Sequence, residues 1–459
     1  MSWGSYATRT FNIVLVLPLI LTRFEAPEIA LWYLLKSLFD LTTLADFGFS
    51  ATYIRIISYS NSRLHQKNTE VIFPNSEIEA QNAHAINSTM NVVYGRIALI
   101  TTAILIVLGT LLLRRPISQT SLPNQSWIAW IVVIFTSVFT VFGSKFATAL
   151  QGLDEIALLK RYETALSIAE ILSLFTVLML GGGLLGLVIV SQSWRLVYVF
   201  TNYRLCKNIR AGEYSRLTPW KLDQNVFQII WPSAWRSGLG RLMSYGLTQA
   251  SGLIYAQIGT SGNLATYLLS LRLMQTVSDF SQAPFYSKLP KMANLYAQKK
   301  YNDEVLLAKR GMSIAYWTFV TGFVGLGLLG EPLLRLIKSN ASFASPTLWV
   351  LLGIGFLAER YGAMHIQLYS STNRIIWHIA NGFTGGIYIV SSILLLSSYG
   401  VIAFPLAYII GNVGFYSWFS ASFSYRTFKM GFWDFESKTL LIPLVLFITF
   451  TCAFLLLRR

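Results

Sequence analysis

The chain has 459 residues, of which 54% are hydrophobic and only 12% are charged, whereas soluble domains are about 25% charged. Thirteen apolar runs of about 20 residues, each long enough to cross ~30 Å of hydrocarbon, leave no room for a soluble domain between them. A pump with its own nucleotide-driven motor, a secreted enzyme and a receptor with a folded ectodomain are therefore excluded.

The net charge of +16 does not indicate a nucleic-acid partner, because the basic residues cluster in alternate loops and not along one soluble face. That alternation sets the orientation of polytopic membrane proteins, and it predicts a multi-pass protein with a cytoplasmic N-terminus. Cys206, Cys452 and the four histidines show neither disulfide nor metal-ligand spacing. We therefore expect no metal and no cofactor.

Each of the thirteen apolar runs predicts one membrane span. In chain order they cover residues 11–21, 28–60, 88–113, 127–150, 163–180, 184–203, 226–257, 263–285, 306–330, 346–370, 375–398, 401–424 and 439–457. The second would be one helix of about 50 Å at 1.5 Å per residue, long enough to project beyond the bilayer. A surface helix is predicted at 78–86, within the longest connection.

An internal repeat organises these spans. Trp3, Ser5 and Arg9 recur as Trp235, Ser237 and Arg241, and Asp46-Phe47 followed by Arg55 recurs at nearly the same offset as Asp279-Phe280 followed by Lys288. The repeat predicts an all-α polytopic membrane protein with two six-helix lobes related by pseudo-two-fold symmetry, and an extra C-terminal helix. Chance similarity between apolar helices is the alternative.

The predicted domains follow from this repeat. Residues 1–205 form the N-terminal six-helix lobe, 206–225 a basic cytoplasmic linker, 226–425 the C-terminal six-helix lobe, and 426–459 a cytoplasmic segment followed by the thirteenth helix.

Charged residues within apolar spans are costly and by default face a water-filled cavity. They concentrate in the paired spans one, two, seven and eight, which predicts a net positive cavity between the lobes. Arginine binds phosphate oxygens bidentately, so such a cavity suits a phosphorylated substrate. The residues expected to bind substrate are Arg9, Lys36, Arg236, Arg241 and Arg272, and those expected to couple transport to a proton or sodium gradient are Asp40, Asp46 and Asp279. No catalytic residue is predicted.

Each of these residues also has a structural interpretation. Lys36 and Asp40 lie four residues apart and could neutralise each other, while Arg9 could serve only as an orientation signal. Arg236 and Arg241 could extend to the interface. The aspartates could bond helix ends, and the adjacent Glu359 and Arg360, which should point to different faces, are assigned no role.

Several short motifs together indicate a family. They are Arg9 in the first span, Pro27-Glu28 ahead of Leu31-Trp32, the string Leu44-Ala45-Asp46-Phe47-Gly48-Phe49, Arg55 with Ile57-Ser58, and Gln151-Gly152. With these residues the chain resembles the bacterial polysaccharide-transporter flippases of the multidrug/oligosaccharidyl-lipid/polysaccharide exporter superfamily. The motifs occupy mainly the first 60 residues.

The resemblance implies a two-lobed helical bundle in the bacterial inner membrane. Such a protein moves an undecaprenyl-diphosphate-linked oligosaccharide, an O-antigen, capsule or exopolysaccharide repeat unit, to the outer face by alternating access. In relatives, basic residues of the first, second and eighth helices line the cavity, and the matching positions here are Arg9, Lys36 and Arg272. The implied partners are the lipid-linked oligosaccharide, membrane lipid, and the glycan polymerase and assembly proteins. The odd number of spans departs from the twelve or fourteen of relatives.

Two other function classes compete with a flippase. A multidrug or cation antiporter of the same fold would favour an anionic cavity. A membrane glycan polymerase or ligase would need a large external loop with catalytic residues, and the predicted external loops are short.

Overall fold

The computed structural model describes residues 11, 15–44, 46–65, 83–209, 212–215, 220–243, 247–372, 374 and 376–457. Arg9, the repeat residues Trp3 and Ser5, and most of the predicted surface helix at 78–86 lie outside the described residues.

The described chain is all-α, which confirms the predicted class of polytopic membrane protein. Six of its helices are long and apolar enough to cross a membrane, judged by length and composition, and a bent helix pair near the C-terminus is a seventh if it forms one span. Other long helices, Ala26–Leu44, Ser261–Tyr286 and Pro346–Ser370, carry charged residues near their middles, which lowers their hydropathy.

The chain divides into two compact units. The N-terminal unit contains Ser2–Phe24 and Leu34–Leu242, and the C-terminal unit contains Glu25–Tyr33 and Met243–Arg459. The helix Gln224–Arg241 therefore groups with the N-terminal unit. The lobe and linker boundaries inferred from the repeat stay a prediction.

In the N-terminal unit, one long helix, Pro123–Gly152, packs against five others among the described helices. The helices of this unit are α1 (Leu17–Arg23), most of α2 (Ala26–Leu44), α3 (Phe49–His65), α4 (Ala83–Ile104), α5 (Thr110–Ser118), α6 (Pro123–Gly152), α7 (Ile156–Met179), α8 (Leu184–Asn208) and α9 (Gln224–Arg241). Helix α6 packs against α3, α4 and α8, and the core where they meet includes the fully buried Tyr53, Tyr94 and Leu150. A π-helical turn, Leu105–Gly109, joins α4 to α5.

The predicted second span is not one helix, because the chain turns between α2 and α3. Phe47 and Gly48 have φ angles of 45° and 73°, in a region that glycine adopts without strain. The Asp46 carboxylate accepts hydrogen bonds from the Ser50 amide at 3.1 Å and the Ser50 hydroxyl at 2.6 Å, so it caps α3. The apolar run concealed this cap and turn, and the predicted single helix is wrong.

The C-terminal unit contains the remaining helices. They are α10 (Leu247–Tyr255), α11 (Ser261–Tyr286), α12 (Leu289–Ala297), α13 (Tyr301–Leu336), α14 (Pro346–Ser370), α15 (Trp377–Tyr399), α16 (Ala403–Gly411), α17 (Ser417–Phe428), α18 (Phe432–Thr439) and α19 (Leu441–Leu457). The predicted seventh span is likewise two helices, α9 and α10. Helices α18 and α19 form the bent pair, with an angle of 59°.

Candidate functional site: charged side chains within the helices

Arg272 lies near the middle of the 26-residue helix α11. At 1.5 Å per residue it is about 17 Å from one end and about 21 Å from the other, so its side chain reaches neither end of the helix. It is partly buried, and its guanidinium makes no hydrogen bond or ion pair with another described residue. The buried hydroxyl of Tyr33, on which Arg272 acts electrostatically, likewise has no hydrogen-bond partner among the described residues.

A second group of charges in the C-terminal unit surrounds Arg360 on α14. Arg360 is 4% exposed, donates to the hydroxyl of Ser278, and lies 3.6 Å from the Glu359 carboxylate. Asp279 acts electrostatically on both residues and accepts a 3.3 Å hydrogen bond from Gln282. Glu359 and Arg360 are adjacent on the helix and differ in exposure, and the ends of their long side chains nevertheless meet.

The N-terminal unit contains a comparable group on three helices. Lys36 and Asp40 are partly buried on α2; Glu170 on α7 interacts with Lys36 and with Arg195 on α8, and Arg195 interacts with Asp40. The structure thus brings two predicted site residues together with two that the sequence left unassigned.

Lys145 is a further buried cation in the N-terminal unit. It is 2% exposed, donates to the side-chain oxygen of Asn91, and lies 4.4 Å and 4.7 Å from the ring centroids of Phe142 and Phe146. Its charge is held by an amide and two aromatic faces, which is the arrangement of a satisfied core residue.

Arg236 and Arg241, predicted to bind substrate, are exposed on α9. The Arg236 guanidinium lies 5.7 Å from the Trp235 ring centroid. Their exposure fits either the interfacial interpretation or a role in binding, so the assignment stays a prediction.

The repeated acidic and basic residues occupy unlike positions. Asp46 caps α3 in a turn, whereas Asp279 lies inside continuous α11. Arg55 donates to the Ser233 hydroxyl at 2.8 Å, while Lys288 lies between α11 and α12, where burial and then the nearby Arg310 lower its pKa. The matching sequence strings therefore do not have matching local structures.

The sequence predicted a cavity with a net positive charge. In the structure Glu170 belongs to the group around Arg195, and Glu359 belongs to the group around Arg360, so each group contains acids as well as bases. The sequence reveals each of these acids as a charge within an apolar run. It does not reveal their partners, since Glu170 and Arg195 lie on different helices.

No protein-family model matches the sequence, and neither does any curated protein. Solved structures do match nearly the whole chain. A multidrug resistance MATE family transporter of the MOP superfamily, in an inward-facing conformation, has a TM-score of 0.67 and 12% identity, covering 94% of this chain and 95% of that chain. The lipid II flippase MurJ, in an inward closed conformation, has a TM-score of 0.61 and 13% identity, covering 98% and 96%.

An outward-facing MATE family transporter matches less closely, with a TM-score of 0.53 and 11% identity, covering 93% of this chain and 94% of that chain. This chain has the fold of MOP superfamily transporters. Identities this low establish the fold alone, and the fold is shared by transporters of different substrates.

Proposed function

We propose that the chain is a flippase that moves an undecaprenyl-diphosphate-linked oligosaccharide from the cytoplasmic to the outer face of the bacterial inner membrane by alternating access. A flippase with this task must bind a diphosphate at membrane depth, because polar sugars and charged phosphates do not cross hydrocarbon unaided. The proposal includes proton or sodium coupling and delivery to a glycan polymerase.

The observation that carries this proposal is the guanidinium of Arg272. An arginine at membrane depth costs at least about 2.5 kcal/mol, and here no described residue offsets that cost with a hydrogen bond or an ion pair. A diphosphate would supply the missing partner through bidentate, charge-assisted hydrogen bonds. The hydroxyl of Tyr33, also without a hydrogen-bond partner in the described chain, would add a donor.

The test is transbilayer movement in proteoliposomes of a prenyl-diphosphate disaccharide carrying a fluorescent label, measured by dithionite quenching in the outer leaflet. We expect Arg272→Ala to slow the movement at least about tenfold, which corresponds to ~1.4 kcal/mol. Arg272→Lys should retain part of the rate, because it keeps the charge without the planar donors.

The control is Arg335→Ala, which removes an exposed arginine paired with Glu331 near the end of α13. This variant should flip the probe at the wild-type rate. If Arg272→Ala moves the probe as fast as wild type and Arg335→Ala do, the assignment of Arg272 as a diphosphate-binding residue is overturned.

The second candidate function is a multidrug or cation antiporter. It is favoured by two carboxylates within the helices, Glu359 and Asp279, which both act electrostatically on the buried Arg360. Uptake of a fluorescent organic cation by the same proteoliposomes under a proton gradient distinguishes the two functions. A flippase should show no such uptake, whereas an antiporter should lose it in Glu359→Gln.

A further inference from the structure

Arg195 lies near the middle of the 25-residue helix α8, a helix apolar enough to span a membrane. At 1.5 Å per residue it is about 17 Å from the first residue of the helix and about 20 Å from the last. The side chain cannot reach an interface from this depth, so its charge must be accommodated within the N-terminal unit.

The guanidinium of Arg195 is held by stacking. Its central carbon lies 3.5 Å from the ring centroid of Phe39 on α2. Stacking covers one face of the planar group and leaves the donors around its edge directed sideways. The Nε atom is buried and has no hydrogen-bond partner among the described residues.

Two carboxylates act on Arg195 without occupying its donors. Glu170 and Asp40 interact with it electrostatically, yet neither forms a direct ion pair with it in the described chain. They stabilise its charge from a distance, while its buried Nε donor has no hydrogen-bond partner among the described residues. An arginine retained only for structure would be expected to use these donors on its acidic neighbours.

We propose that Arg195 is an anion-binding residue that takes a diphosphate, and that Glu170 limits its affinity. This inference rests on the proposed function, since it assigns the residue to the headgroup of the lipid-linked substrate. The Glu170 carboxylate repels an incoming diphosphate and stabilises the empty site, and Lys36, which also interacts with Glu170, offsets part of this repulsion. Removing the charge of Glu170 should therefore tighten anion binding.

The experiment measures the affinity of the purified full-length protein for a short-chain prenyl-diphosphate N-acetylglucosamine, by titration calorimetry. Inorganic diphosphate is the second probe, and it shows whether the site requires the lipid-linked form. We expect Glu170→Gln to bind the lipid-linked probe about tenfold more tightly than wild type, and Arg195→Gln about tenfold more weakly. The double variant should bind no more tightly than Arg195→Gln alone.

Arg204→Gln is the matched control. Arg204 lies on the same helix and stacks on a phenylalanine, Phe200, at 4.6 Å, but it is exposed near the helix end. Its substitution should leave affinity unchanged. Arg195→Lys, which keeps the charge, should recover part of the binding lost in Arg195→Gln, and that recovery excludes simple misfolding.

The outcomes separate this inference from the proposed function. If wild type binds the probe and Arg272→Ala does not, while Glu170→Gln and Arg195→Gln both bind as wild type, the role of Arg195 is overturned and the flippase proposal stands. If neither wild type nor Glu170→Gln binds either probe, both are overturned.

Discussion

Glu436 is a buried carboxylate whose oxygens are occupied from three directions. It interacts with His365 Nε2 at 3.2 Å, accepts from the Thr439 hydroxyl at 2.8 Å, and accepts from the Tyr425 hydroxyl. His365, with no exposed surface, lies 2.7 Å through Nδ1 from the Ser424 hydroxyl. These contacts join α14, α17 and α18 through buried side chains.

We expect Glu436→Ala to lower the free energy of unfolding by about 3 kcal/mol, because it leaves buried polar partners without an acceptor. Thermal unfolding in detergent measures the change. Asp434→Ala on the same helix is the control: its carboxylate is 64% exposed and pairs with Lys309 and Lys438, so little change is expected. Equal melting of Glu436→Ala and wild type would contradict this role.

At the residue scale, the sequence locates charge and leaves partners undetermined. Arg272 and Lys36 stand out because each interrupts an apolar run, and that signal needs no tertiary information. The contact between Arg195 and Phe39 joins helices far apart in the chain. No periodicity within one helix can predict it.

At the element scale, the turn before α3 packs closely on α9. A Cβ atom built on Gly238 would lie 2.5 Å from the Phe47 Cα atom, and one built on Gly48 would lie 2.5 Å from Ser237 Cβ. The repeat string around Ser237 and the Asp-Phe-Gly turn, which lie about 190 residues apart in the sequence, thus meet within the N-terminal unit.

We expect Gly238→Ala to destabilise the protein by about 1–3 kcal/mol, since the added methyl group meets backbone atoms that cannot move aside cheaply. The matched control is Gly382→Ala in α15, where nothing lies within 4 Å of the added atom and alanine favours the helix. Thermal unfolding should place Gly238→Ala below wild type and Gly382→Ala at or above it. A Gly238→Ala protein as stable as the control would show that the turn and α9 can separate.

Helix boundaries were predictable where capping residues mark them. The predicted span 346–370 is the observed α14, because the Ser345 hydroxyl accepts from the Leu348 amide at 3.3 Å and Pro346 follows at the first helical position. Span two is two helices because Asp46 and Gly48 form a turn inside a continuous apolar run, and hydropathy does not detect such a turn. Short amphipathic helices such as α12 and α18 carry too little apolar sequence to be predicted as spans.

At the scale of the whole molecule, an odd number of spans would place the two chain ends on opposite sides of the membrane. With a cytoplasmic N-terminus, the loop after α12 would lie inside and the loop after α13 outside. The predicted orientation therefore fixes the side of every connection.

We expect Asn340→Cys to react with a membrane-impermeant maleimide added to intact cells, and Gln298→Cys to react only after permeabilisation. Both substitutions are made in a variant that lacks Cys206 and Cys452, and that variant is the unlabelled control. Both native positions are exposed, so accessibility reports the side of the membrane. The reverse labelling pattern would invert the topology.

Helix α13 has 36 residues and is about 54 Å long at 1.5 Å per residue, against ~30 Å of hydrocarbon. The residues beyond the ~20 needed to cross the hydrocarbon extend from both ends of the span, and the polar N-terminal turns from Tyr301 to Arg310 would stand clear of it as a stiff rod. Lys309 on that rod binds Asp434 of α18 at 2.8 Å. If α13 tilts within the membrane, its projecting N-terminal end is displaced further than its middle. The ion pair between Lys309 and Asp434 would then carry that displacement to α18.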